Sequence, residues 1–127
     1  MRQLRFLTLW LTLGWVLVGL VVYFSLIPSP PEPLSFPAGD KLIHLSIYAG
    51  MMLWFGFIYF PGRAYRNLGV AFIMMGLILE LIQGLTDYRS MEYLDMLANS
   101  IGISIGWLLA RTRLASTLTQ LESRLRT

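Results

Sequence analysis

The sequence predicts an all-α integral membrane protein: a four-helix bundle followed by a short amphipathic helix at the C-terminus. Three observations carry this. The 127-residue chain is 56% hydrophobic and 13% charged, with a mean hydropathy of +0.63, whereas a soluble domain carries about a quarter charged residues. Four apolar runs reach or approach the ~20 residues that a spanning helix needs. The basic residues gather between and after these runs, a membrane pattern rather than a nucleic-acid patch. The lipid bilayer is therefore the expected partner, and nucleic acid is not.

The first run, residues 6–27, has no charge. Arg2 and Arg5 precede it as they would a signal peptide. Its apolar core is longer than the ~7–15 residues of a signal h-region, and no A-x-A-like site follows, so a retained anchor is expected. Residues 28–40, "PSPPEPLSFPAGD", are proline-rich and should be extended and surface-lying. The second run, 42–60, carries only His44. "PGRAYRN" (61–67) reads as a Pro-Gly stop followed by Asn67 as N-cap of the third run, 68–85, which carries Glu80 and Gln83. "TDYRSMEY" (86–93) is a polar link, expected to be helical in part.

The fourth run, 94–110, carries Asp95 and Asn99. It also repeats Ala98, Gly102, Gly106 and Ala110 at every fourth position, a small-residue ridge for close helix packing. Residues 1–110 thus form a four-span domain and 111–127 a cytoplasmic tail. In the tail Leu114, Leu118, Leu121 and Leu125 fall on one helical face among arginines. It is expected to lie on the inner leaflet; the alternative is that it packs on the bundle or on a second subunit, and an oligomer stays open. No internal repeat is evident.

Orientation follows from the basic residues. With four spans, Arg2, Arg5, Arg63, Arg66, Arg111, Arg113, Arg124 and Arg126 share one side, and only Lys41 and Arg89 lie on the other. Both termini are expected in the cytoplasm of a cell whose cytoplasmic membrane holds the protein.

This topology gathers the polar residues of the spans. Asp40, Lys41 and His44 fall at the outer end of the second span, Glu80 and Gln83 near the exit of the third, Arg89 in the outer link, and Asp95 and Asn99 at the start of the fourth. At 1.5 Å per residue all lie within roughly 10 Å of the outer boundary. Asp40, His44 and Tyr48 share a face at i, i+4, i+8; Glu80 and Gln83 are i, i+3; Asp95 and Asn99 are i, i+4. A charge deep in a span costs about 2.5–3.5 kcal/mol on insertion scales, so the stripes should face one another around a pocket that opens outward. Glu80 is expected to be charged and paired, first with Arg89, then with Lys41 or His44.

Simpler roles stand beside this one. Asp40 serves as an N-cap, Lys41 snorkels to headgroups, His44 makes an interhelical hydrogen bond, and Glu80 pairs with Arg89 only to close the bundle.

The absence of cysteine excludes disulfides, thiolate catalysis and Cys-based metal sites. One His and no H-x-x-x-H pair argue against a metal, and no cofactor is expected. No Ser or Thr sits on a nucleophile elbow. His44 with Glu80 or Asp95 forms a candidate general acid–base set, and Lys41 with Arg89 a candidate clamp for phosphate or carboxylate at headgroup depth.

"DKLIHLSIYAG" and "GLILELIQGLTDYRSMEYLDMLANSIGISIGWLLA" resemble the VanZ-like membrane protein family, whose pattern is D-K-x-x-H-x-x-x-Y, E-x-x-Q, an Arg–Ser step and D-x-x-x-N-x-x-G. The matching residues are Asp40, Lys41, His44, Tyr48, Glu80, Gln83, Arg89, Ser90, Asp95, Asn99 and Gly102, spread over residues 39–110. Tyr88 stands where the family commonly has Gly. The resemblance implies a small helical membrane protein with a shared polar site. The family's namesake is linked to resistance to teicoplanin, a lipidated glycopeptide, without an agreed reaction. The expected function is accordingly to bind or modify a lipid-linked cell-wall intermediate or a lipoglycopeptide. The alternative is a structural membrane protein whose polar cluster only stabilises helix packing.

Overall fold

A computed structural model describes residues 2–28, 38–88 and 90–126. Among them the chain is all-helical: α1 (Leu7–Leu26), α2 (Gly39–Tyr59), α3 (Arg63–Leu85), α4 (Tyr93–Ala110), a 3₁₀ turn (Arg113–Ser116) and α5 (Thr117–Leu125). The first four are long and apolar enough to cross a membrane, as the four runs predict, and fit a multi-pass membrane protein. Most of the proline-rich connection, and Arg89, lie outside the described residues.

The boundaries correct two expectations. Helix α3 starts at Arg63, directly after Gly62, so Asn67 lies inside the helix and caps nothing. Pro61-Gly62 is itself the break, and nothing after it opposes helix. Asp40 is likewise not an N-cap. Ala38 holds that position in a left-handed conformation (φ 64°), and Asp40 sits in the first turn, where a carboxylate complements the helix dipole. Of the 86–93 link, Tyr93 begins α4 and the other described residues are not helical.

Helices α2 and α4 run parallel and form the tightest pair, and the small-residue ridge explains why. A methyl on Gly102 would overlap the carbonyl oxygen of Leu45; one on Gly106 would lie 2.5 Å from the Ala49 oxygen and 2.8 Å from Met52 Cβ. On the facing helix, a methyl on Gly56 would meet Ala110 Cβ at 2.8 Å. Helix α3 approaches α4 at Gly76, where an added methyl would meet Asn99 Nδ2 at 3.0 Å. The core between them is built from Tyr48, Met51, Met52, Phe55, Tyr65, Phe72, Ile103 and Ala110, with Val21 from α1. Helix α1 lies at the periphery and buries only Gly14 and Val21.

The tail docks on the bundle, the alternative that the leucine spacing left open. Leu118 packs with Leu4 and Ile58, and the buried stripe is Ala115, Leu118 and Glu122, while Leu114, Leu121 and Leu125 stay exposed. The carboxylate of Glu122 accepts hydrogen bonds from the backbone N–H of Arg5 (2.6 Å) and Phe6 (2.9 Å) and from Trp10 Nε1 (2.7 Å). Both ends of the chain therefore meet at the end of the bundle where α2 turns into α3. The polar residues of the spans occupy the opposite end.

Candidate functional site

Three helices deliver one polar group each, for local reasons. The first two turns of α2 place Asp40, Lys41 and His44 at its N-terminal end. The close approach at Gly76 lets Glu80, one turn later, reach α4. The ridge of α4 lies against α2 and holds Asp95 and Asn99 beside its first turns. Glu80, Asp95 and Asn99 are all buried, and Tyr48 below them is 3% exposed.

Lys41 stands at the mouth among three carboxylates. Its Nζ lies 2.7 Å from Asp40 Oδ2 and 2.7 Å from Asp95 Oδ1, and it also pairs with Glu92. The expected free clamp at this position is thus already engaged by the protein's own acids. Deeper in, His44 Nδ1 meets Asn99 Oδ1 at 3.1 Å, and His44 Nε2 lies 3.9 Å from Asp95 Oδ2. Glu80 Oε2 accepts the backbone N–H of Glu92 at 3.1 Å, which ties the 86–92 link to α3. Ligand atoms of His44, Glu80 and Asp95 all lie within 4.8 Å of one another.

Of the predicted residues, the structure brings together Asp40, Lys41, His44, Tyr48, Glu80, Asp95 and Asn99. Gln83 points elsewhere: its Nε2 donates to the Ser25 carbonyl at 2.5 Å and holds α1 against α3. Tyr88, at the step where the resembled family has Gly, donates its hydroxyl to the Leu26 carbonyl at 3.0 Å and pins the link to the end of α1. Arg89, the first partner expected for Glu80, lies outside the described residues. Sequence reasoning missed Glu92, which completes the set around Lys41. It sits in a polar link rather than a span, where a single Glu reads as solvated; its only signal was being an acid on the side of the membrane where Lys41 lies.

Part of the cluster (Asp40, His44, Tyr48, Glu92 and Asp95) lines an open cavity of about 870 Å³, within the range of ligand pockets. One wall is apolar, made by Leu17, Leu20, Val21 and Phe24 of α1 and by Ile43 and Ile47 of α2. The rim is polar, with Asp40, His44, Asp87, Ser90, Glu92 and Asp95. From Leu17 to the end of α1 at Leu26 the wall runs about 13 Å along the span. Such a groove accommodates an apolar chain along α1 with a polar head at the cluster. No family model, curated protein or solved structure matches this chain.

Proposed function

We propose that this chain is a VanZ-like protein of the cytoplasmic membrane, and that its pocket binds or modifies the head of an amphiphile, either a lipid-linked cell-envelope component or a lipophilic glycopeptide. The two-part lining of the cavity, polar at its rim and apolar down α1, is the observation that carries this. An acyl chain contributes about 0.8 kcal/mol per buried CH₂, so lipidation should dominate affinity. Because Lys41 is engaged by three carboxylates, a neutral or hydrogen-bonding head suits the rim better than a bare anion. The arginine excess at the clasped end supports a cytoplasmic placement of both termini, with the pocket facing outward. Cysteines placed in 61–67 should then resist an impermeant thiol reagent in intact cells; labelling there would reverse the orientation.

Overproduction should raise tolerance to a lipidated glycopeptide more than to its unlipidated counterpart. His44→Ala and Glu80→Gln should abolish the difference at matched membrane abundance. Equal shifts for both compounds would argue for a general envelope change, and a full effect in both variants would move the action away from this pocket.

A second reading has its own support. Lys41 links α2 to the 86–92 link and to α4, and Glu80 holds the same link, so the cluster also serves as architecture. On that reading the same variants fail to accumulate in the membrane.

A further inference from the structure

We propose that His44, Glu80 and Asp95 bind a divalent first-row metal ion, Zn²⁺ or Mn²⁺, with open coordination positions toward the cavity. The proposal shares the pocket of the amphiphile reading without resting on it.

The histidine is the first argument. Its Nδ1 lies 3.1 Å from Asn99 Oδ1, and an amide oxygen only accepts, so Nδ1 carries the hydrogen. In the neutral ring Nε2 then carries a lone pair, 3.9 Å from Asp95 Oδ2. A lone pair facing a carboxylate is repulsive unless something positive lies between them. At 3.9 Å the two atoms are too far apart for a direct hydrogen bond. Two metal–ligand bonds of about 2.0–2.2 Å each span up to about 4.4 Å. An ion therefore fits between the two atoms. The Asn99 contact is also the outer contact that metal-bound imidazoles characteristically make.

Glu80 supplies the second, independent argument. It is 2% exposed, and its Oε2 accepts the backbone N–H of Glu92. Its carboxylate lies beside His44 and Asp95, with ligand atoms of the three within 4.8 Å of one another. A buried carboxylate needs a counter-charge. Lys41 does not provide it, because Asp40, Glu92 and Asp95 already surround that ammonium.

The donor set determines the class of ion. One imidazole and two carboxylates, with no thiolate, suit a borderline or hard divalent ion rather than a soft one. Three protein ligands leave positions for water or for an oxygen of the bound head, as in catalytic zinc sites. The single His and the missing H-x-x-x-H spacing argued against a metal only under the assumption that one helix supplies two ligands. Here three helices supply one each.

The test uses untagged full-length protein in detergent, stripped with chelator and dialysed against Zn²⁺ or Mn²⁺ alone. About one ion per chain should be retained, and Co²⁺ should give the visible absorption of an N/O site. His44→Ala and Glu80→Gln should each remove it. Asn99→Ala, which frees the imidazole, should weaken binding about 10–100-fold without abolishing it. Glu122→Gln, at the opposite end of the bundle, should bind like the parent. No retained ion and no Co²⁺ absorption in the parent protein would overturn the proposal even if the variants misfold, as would undiminished uptake by His44→Ala. Neither result depends on a lipid or glycopeptide being present, so failure here leaves the amphiphile reading standing, and the reverse holds too.

Discussion

Lys41 is the residue whose loss separates architecture from function. Two of its partners, Asp40 and Glu92, are each 46% exposed, whereas Asp95 is 9% exposed. Half-exposed ion pairs contribute little, about 0–1 kcal/mol. The Asp95 arm matters more, because removing one partner of a buried pair leaves a charge without compensation. Lys41→Met should therefore destabilise the bundle by about 1–3 kcal/mol, less than a fully buried pair would cost. Asp95→Asn in the same background should recover part of it. Reversible unfolding in mixed micelles measures both. Additive losses would mean that the two side chains are not coupled, and would remove the ion pair from the account of stability. A pocket that serves only as architecture should lose stability and activity in proportion. One that acts on a ligand should lose activity in His44→Ala with stability kept.

At the scale of helices, much was legible because lipid imposes a simple rule: a spanning segment satisfies its own backbone and excludes charge. Residues such as Glu80 and Asp95 stand out against that background, and their helical spacing says which face they share. What sequence could not give was the pairing. The ridge of Ala98, Gly102, Gly106 and Ala110 announces a close neighbour but not which one, since any helix with small or backbone-exposed positions fits it. Gln83 illustrates the same gap. It lies on the same face as Glu80, yet it bonds to α1 because the Ser25 carbonyl is in reach.

The identity of the partner helix makes a paired prediction. Gly106→Ala places a methyl 2.5 Å from the Ala49 oxygen, a backbone atom that cannot rotate away. The helices must part, and overpacking of this kind costs about 1–3 kcal/mol. Gly50→Ala, on α2, meets nothing within 4 Å and should be neutral or stabilising by up to about 1 kcal/mol through helix propensity. The same chemical change thus has opposite signs at two positions, and the unfolding assay used for Lys41 reads both. A Gly106→Ala protein as stable as the parent would mean that α2 and α4 are not packed backbone to backbone.

The whole molecule has two unlike ends. One is an open, carboxylate-rich pocket; the other is closed by a contact between residues more than a hundred positions apart. Glu122 was invisible as a structural residue because one Glu on a short arginine-rich helix reads as solvated, and its partners include backbone N–H groups that no sequence pattern marks. Burial opposes ionisation of Glu122. The N–H of Phe6, the indole of Trp10, the N–H of Arg5 and the nearby Arg126 prevail, and together they hold its carboxyl below the usual range. The sign of the pH dependence follows. In an undocked tail the group titrates near its ordinary value of ~4.3. Its contribution to docking is complete above that pH and is lost as pH falls through the lowered value of the docked state. A spin label on Ser123→Cys, in a chain with no other cysteine, should be immobile at neutral pH and gain mobility below about pH 4. Glu122→Gln should loosen the label at neutral pH and flatten the acid transition, which separates this residue from the other carboxylates that titrate in acid. Because the clasp lies at the end away from the pocket, retention of Zn²⁺ or Mn²⁺ at neutral pH should be the same in Glu122→Gln as in the parent. A label equally immobile in both proteins from neutral pH to about pH 3 would mean that the tail is held by Leu118 and its apolar neighbours alone.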